Sequence, residues 1–543
     1  MAATILDNTV TFAAERSKSP CQIDAISAAT VELLKQSAAY PDRPKTVSLV
    51  ETHISWVFLT DRFVYKLKKP VRFDFVDFST PEARRRACLA ECELNSRMAR
   101  GVYLGVLPIA ADARGRLALN GQGVAVDWVV KMRRLPAERM LDHLLRTERL
   151  GDGEAARLAA WLANYYDRLS PVCLDTSCYR SAIERHVRGN HLELLDPKHA
   201  LPAELVKRCH AAQLRFLALS SGQIDDRVCD GRIVDGHGDL RPEHVCLENE
   251  PVIFDCLEFN DELRRVDVAD ELAFLAMECD CLGAEQLGWQ VLETYQKTSG
   301  DRFSRSLWNF YKCYRACVRA KVATLAARQC CSPYGAEAHR RALTYLARAD
   351  QYARQLGPPT MLVVCGLMGS GKTTLAAALA KRLGSDVLST DSIRHELLGA
   401  SPLAAAYNEG HYTPKLRRQV YGEMFRRASL QLREGVSQVL DGAFLTTAKR
   451  RAAMAVAKAA GAAPLFVHCV CPDAVAVERI ERRASGPGQS EARGALYASQ
   501  RAAEAPFDES DTVEVDTTAA ICLQEAAVLK ALGGRLRGCA AGA

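Results

Sequence analysis

The stretch GLMGSGKTT, from Gly366 to Thr374, constrains its surroundings more tightly than any other part of the chain. Gly366, Gly369 and Gly371 let the backbone close into a loop whose N–H groups point inward. Such a loop needs an apolar strand ahead of it and a helix behind it. Both are legible, as MLVVC before and the Ala-rich TTLAAALAKRL after. The helix N-terminus adds positive potential, Lys372 reaches the β- and γ-phosphates, and the Thr373 hydroxyl suits Mg²⁺. The full pattern G-x4-G-K-T therefore reads as a P-loop. In it Gly366, Gly369, Ser370, Gly371, Lys372, Thr373 and Thr374 hold the phosphates of ATP.

Around this loop the chain alternates short β runs with helices: MLVVCG, DVLST, SQVLD, APLFVHCV and TVEVD. That rhythm predicts an α/β P-loop domain with a parallel sheet over residues 357–543, starting after the helix stop QLGPPT. In such sheets ligands gather at the strand carboxyl ends. Asp391 ends DVLSTD, where a carboxylate can orient an acceptor hydroxyl and take its proton. Arg394 follows one turn later, placed for an acidic group on the acceptor. Asp441 closes SQVLD and is expected near Mg²⁺ with Thr373. Arg479 and Arg483 share the helix that begins at Asp473, ahead of the Gly-rich SGPGQS. Arg483 is expected to act catalytically from a lid over the phosphates; a solvated helix face is the plainer reading.

At 543 residues the chain exceeds what one core supports, so two or more domains are expected. A net charge of +6 and 7% aromatics show no basic–aromatic interleaving for nucleic acid, and anionic small molecules such as ATP fit as well. The 20 cysteines lack paired CxxC spacing, which favours free thiols in a reducing compartment over zinc or disulfides. No signal-peptide pattern opens the sequence. No run of about eighteen apolar residues occurs, so a cytoplasmic protein without a membrane span is expected.

The first half reads differently. Residues 1–44 form a polar, Ala-rich extension with one helical patch, IDAISAATVELLKQ. Over residues 45–356, VSLVETHISWVFLTD and RFVYKLKKPV read as two strands. Thr80, Pro81 and Glu82 start a helix, and YLGVLPIAA, RLALN and VAVDWVVKM form a meander. Helices then dominate, broken by a strand-like pair, RIVDGHGDL and PVIFDCLEF. A small β lobe followed by a helical lobe is the predicted α+β architecture.

The stretch HGDLRPEHV, His237 to Val245, resembles the catalytic loop of the aminoglycoside phosphotransferase and choline kinase group, which shares the protein-kinase fold. The resemblance implies that Asp239 takes the acceptor proton and that Asp255, in VIFDCLEF, holds Mg²⁺. Lys66 in VYKLKK would bind ATP phosphates, with Lys68 as rival. Glu91 would be the lysine's ion-pair partner, with Glu93 as rival. Met132, in WVVKMRRLP, falls where the adenine-binding hinge falls, and Asp267 and Glu271 fall where acidic residues brace the loop. The chain departs from the group at His244, where an Asn ligates the second Mg²⁺. A neutral imidazole suits Mn²⁺ or Zn²⁺ better than Mg²⁺, and Glu258 is a candidate oxygen ligand in its place. Arg315 and Arg319 share a helix face and read either as a solvated stripe or as the lining of a site for an anionic acceptor.

The P-loop with Asp391, Arg394 and an Arg lid resembles small P-loop kinases, the gluconate kinase, zeta toxin and polynucleotide 5′-kinase groups. From Glu51 to Asp516 the whole chain resembles bacterial two-domain proteins that fuse the two halves. The expected function is ATP-dependent phosphoryl transfer to hydroxyls of small molecules at two nucleotide sites. The alternatives are a P-loop ATPase regulated by a ligand-binding pseudokinase half, and a nucleic-acid 5′-end kinase.

Overall fold

The computed structural model describes residues 25–52, 54–73, 76–329, 334–399, 413–484, 494–507 and 511–540. It divides into two compact units: Met1–Leu201 with Gln223–Ala349, and Pro202–Gly222 with Asp350–Ala543.

The first unit opens with a six-stranded antiparallel sheet. Its strands are β1 (Ser48–Glu51), β2 (Ser55–Leu59), β3 (Phe63–Lys68), β6 (Tyr103–Ala111), β7 (Leu117–Leu119) and β8 (Val124–Arg133), in the order β1-β2-β3-β8-β6-β7. A two-stranded ribbon, β4 (Arg72–Phe73) and β5 (Val76–Asp77), leads into the helix Pro81–Asn95. That helix starts as its sequence directs: the Thr80 hydroxyl accepts the Ala83 N–H at 3.2 Å, and Pro81 takes the first helical position. VSLVETHISWVFLTD reads as one strand but folds as the hairpin β1–β2. Thr52 turns the chain, its hydroxyl accepting the Ser55 N–H at 2.7 Å while its own N–H donates to the Ser55 carbonyl at 2.9 Å. Part of the N-terminal extension belongs to this core. Leu34, from the helix Ala25–Leu34, and Tyr40 are buried with Trp56, Phe58, Tyr65 and Leu67.

The helical part of this unit frames two further short ribbons. RIVDGHGDL and PVIFDCLEF do not pair with each other as their patterning suggests. β9 (Ile233–Asp235) pairs with β12 (Arg265–Asp267), and β10 (Val245–Leu247) pairs with β11 (Pro251–Ile253). Helices Val268–Cys281 and Arg305–Gln329 pack as the buried centre. Lys312, Arg315 and Arg319 on one meet Asp280, Asp270 and Glu278 on the other.

The second unit is a five-stranded parallel sheet in the order β14-β15-β13-β16-β17: β13 (Thr360–Cys365), β14 (Val387–Ser389), β15 (Gln438–Asp441), β16 (Ala463–Val470) and β17 (Thr512–Asp516). β13 is central and buried along its length, as its unbroken apolar run requires. One face carries Leu362, Val364, Leu375 and Leu379, and the other Met361, Val363, Met424 and Phe444. The helix Ala203–Leu219 joins this unit although its chain neighbours belong to the first. Arg215 donates to the Gly357 carbonyl at 2.7 Å, and Arg208 bonds Asp350 and the Glu434 carbonyl. No helix among the described residues is long and apolar enough to cross a membrane.

Candidate functional sites

In the first unit, β3 carries Lys66 and Lys68 on one face of the sheet, because side chains two apart on a strand point the same way. Both reach Glu91. Lys66 Nζ lies 2.9 Å from Glu91 Oε1 and Lys68 Nζ 2.7 Å from Oε2, so the two lysines share one carboxylate and neither displaces the other. Glu93 takes no part in this group. Lys66 also reaches Asp255 Oδ1 at 2.6 Å, and Lys68 pairs with Glu258. Burial works against the Lys66 charge, but Asp255 and Glu91 outweigh it and hold its pKa well above the usual lysine value. Burial likewise raises Asp255, while Lys66 and His244 pull it below the ordinary carboxylate range. Both groups are charged at neutral pH.

Asp255 stands in the left-handed region, φ 63°, unusual for a residue other than glycine. Neighbours hold it there: its N–H donates to the Tyr103 hydroxyl at 3.2 Å, and the Cys256 N–H to Asn95 Oδ1 at 2.8 Å. Sequence reading did not single out Tyr103 or Asn95. Met132 is buried near the end of β8, opposite Val64 and Tyr103 and packed with Val130, Cys246 and Phe254.

The His237–Val245 loop is clamped from below. Glu271 accepts the N–H groups of His237 and Gly238 at 2.6 and 2.9 Å, and the Tyr166 hydroxyl at 2.8 Å. The space beneath Gly236 is closed, since a Cβ there would lie 2.7 Å from Glu271 Oε2. Asp267 does not touch the loop. It caps the helix Val268–Cys281 and binds Arg227 and Tyr311. Its bracing place is taken by Asp270, through Arg315, which donates to the Gly238 carbonyl at 3.3 Å. Arg315 and Arg319 are thus neither a solvated stripe nor free cations for an anionic acceptor: both are buried and matched by Asp270 and Glu278.

Asp239 offers its carboxylate unequally. Oδ2 receives Arg241 Nε at 2.9 Å, while Oδ1 takes no hydrogen bond among the described residues. His244 lies between Asp239 and Asp255, its Nδ1 3.4 Å from one carboxylate and its Nε2 3.6 Å from the other. Its neighbours fix its tautomer. Nδ1 faces the Asp239 carbonyl at 2.9 Å and must carry the proton; Nε2 faces Arg241 at 3.1 Å and must accept. Burial and the Arg241 charge push the His244 pKa down to about 4, in accord with a neutral ring. Arg241 was absent from the sequence reading, though its place two residues after Asp239 was visible.

In the second unit the loop glycines adopt the conformations the pattern asks for: φ 131° at Gly366, 76° at Gly369 and 84° at Gly371. A Cβ at Gly366 or Gly369 would meet a backbone oxygen at 2.5 Å. Lys372 starts the helix Lys372–Leu383 and bends back to donate to the Leu367 carbonyl at 2.5 Å. The buried Ser370 hydroxyl has no partner among the described residues. Thr373 donates to Asp441 Oδ2 at 2.8 Å, bringing together two hard oxygens that suit Mg²⁺. Thr374, one residue on, is exposed in the first turn.

Asp391 lies in the first turn of the helix Thr390–Leu398, just past the end of β14. It is exposed and paired with the largely buried Arg394. The Tyr421 ring borders this pair, and the Lys449 ammonium sits 4.6 Å above that ring. Lys449, also absent from the sequence reading, has no carboxylate partner among the described residues; burial, then Arg417, lowers its pKa to about 8. Arg479 bonds Thr517 at 3.0 Å and approaches the Gly369 carbonyl at 3.5 Å. Arg483 falls in the last turn of the helix Asp473–Ala484, but its side chain and the SGPGQS stretch lie outside the described residues.

The family described as "AAA domain" matches residues 361–506. Uncharacterized protein Rv2004c of Mycobacterium tuberculosis (strain H37Rv) is 33% identical over 476 residues, covering 86% of this chain and 92% of its own. Uncharacterized protein Mb2027c of Mycobacterium bovis matches to the same extent. Among solved structures, a gluconokinase from Sinorhizobium meliloti 1021 is 21% identical, covering 34% of this chain and 98% of its own, with a TM-score of 0.27. A choline/ethanolamine kinase family protein from Mesorhizobium loti is 14% identical, covering 60% and 99%, with a TM-score of 0.33. The chain therefore belongs to the family of these mycobacterial proteins.

Proposed function

We propose that the protein is an ATP-dependent phosphotransferase with two nucleotide sites, each transferring the γ-phosphate of ATP to a hydroxyl of a small molecule. One observation carries the reading. In each unit, a cation-bearing or hydroxyl-bearing element meets a carboxylate from a distant part of the chain: Lys66 with Asp255, and Thr373 with Asp441. A phosphate needs a cation beside it, and a divalent metal needs hard oxygens such as these carboxylates and the Thr373 hydroxyl.

In the second unit, Lys372 and the loop N–H groups hold the β- and γ-phosphates, and Thr373 and Asp441 hold Mg²⁺. When bound there, the cation would neutralise phosphate charge. Asp391 orients the acceptor hydroxyl. As the acceptor oxygen bonds to the γ-phosphorus, the bond from that phosphorus to the β–γ bridging oxygen breaks. ADP leaves with that oxygen, and Asp391 takes the hydroxyl proton. Arg394 and Lys449 face an acidic group of the acceptor. In the first unit, Asp239 Oδ1 has the corresponding role, with Lys66 on the phosphates, Met132 beside the adenine and Asp255 on the metal. Positioning and charge neutralisation supply most of the rate.

The test is label transfer from [γ-³²P]ATP into a fractionated metabolite extract by the intact chain, Asp239→Asn and Asp391→Asn. Two labelled products, each lost in one variant, are expected. Release of inorganic phosphate alone, unaffected by Asp239→Asn, would favour a P-loop ATPase joined to a ligand-binding unit. Labelled oligonucleotide 5′ ends would revive nucleic acid as acceptor.

A further inference from the structure

The kinase-fold resemblance implies two divalent cations in the first unit, one on Asp255 and one on the residue at 244. The residues fit the first and not the second. His244 has one lone pair to give, on Nε2, and the Arg241 guanidinium already donates to it at 3.1 Å. Arg241 cannot shed its proton to make way. It is itself buried and held by Asp239 Oδ2 at 2.9 Å, by His244 Nε2 and, at 3.5 Å, by Glu243 Oε1. A divalent cation on Nε2 would sit against this guanidinium in a site with little water to screen the repulsion. Glu258, the other candidate ligand, pairs with the fully buried Lys68 ammonium on the far side of Glu91 from Lys66 and Asp255.

We propose that the first unit binds its nucleotide with a single divalent cation, on Asp255, and that Arg241 supplies the fixed positive charge that a second cation would bring. The proposal rests on the reading of this unit as a nucleotide site. It gives Arg241 a positioning role: it orients Asp239 by one oxygen and fixes the tautomer of His244. It also gives the departure at 244 a physical sense, since an imidazole accepts from a guanidinium where an Asn amide oxygen would ligate a metal.

The experiment counts Mn²⁺ bound per nucleotide, by electron paramagnetic resonance of free Mn²⁺ with β,γ-methylene-ATP, on the full chain carrying Lys372→Ala. Mn²⁺ tolerates nitrogen ligands, so it is the most permissive probe of a second site. A ratio of one is expected; a ratio of two overturns the proposal. Adding Arg241→Met frees Nε2 and is expected to raise the ratio towards two while nucleotide still binds. If this variant holds nucleotide with a ratio of one, Arg241 is not what excludes the second cation, and the proposal fails. If Arg241→Met does not fold, the ratio in its parent decides alone. Failure of the parent to bind nucleotide at all would instead overturn the nucleotide-site reading, and the proposal with it.

Discussion

Lys66 Nζ lies 2.6 Å from Asp255 Oδ1, a contact between residues 189 positions apart in the chain. It closes a buried charge chain that continues through Glu91 and Lys68 to Glu258. Removing one member leaves its partner uncompensated out of water. Lys66→Met is therefore expected to destabilise the first unit by about 3 kcal/mol, measured by urea denaturation. It is also expected to abolish nucleotide binding there. Lys68→Met would cost similar stability but keep nucleotide binding, if Lys66 is the phosphate lysine.

The Thr373–Asp441 contact makes a prediction specific to the metal. Asp441→Asn is expected to weaken Mg-ATP binding to the second unit by about tenfold, roughly 1.4 kcal/mol. It should leave Mg-free ATP binding nearly unchanged. Titration calorimetry with and without EDTA separates the two.

Gly369 has φ 76°, and a Cβ on it would lie 2.5 Å from the Ala476 carbonyl oxygen. Gly369→Ala is expected to strain the loop by about 1–3 kcal/mol. Nucleotide binding should be lost from the second unit and retained in the first, which fluorescence titration of domain-specific variants can read.

His186 gives a pH dependence. Burial, then Arg185, lowers its pKa from 6.5 to about 3. The folded chain therefore stays neutral here while the unfolded chain takes up a proton. The contribution is fully present above pH 6.5 and is lost as pH falls from 6.5 towards 3. Between pH 6.5 and 5 the loss amounts to about 2 kcal/mol. His186→Gln is expected to flatten that part of the stability–pH curve, followed by denaturant unfolding at each pH.

The second unit was the more legible in sequence. A parallel strand covered on both faces must be continuously apolar, so TMLVVC and QVLD declared themselves, and the loop glycines followed from phosphate geometry. The first unit hid more. Arg315 and Arg319 looked like a helix stripe because spacing shows which face a residue occupies and not what lies opposite. Their partners, Asp270 and Glu278, belong to another helix. The helix Ala203–Leu219 gave no sign of joining the second unit, since its anchors Gly357 and Glu434 are far along the chain. Arg241 was hidden for a related reason: its burial against Asp239 and His244 is set by the fold and not by its place in the sequence.

Calorimetric stoichiometry of Mg-ATP on the intact chain, beside Lys372→Ala and Lys372→Ala with Asp255→Ala, tests the two-site reading most directly. Two sites, then one, then none is the expected series. One site in the intact chain and none after Lys372→Ala alone would contradict it, leaving the P-loop unit as the sole nucleotide site.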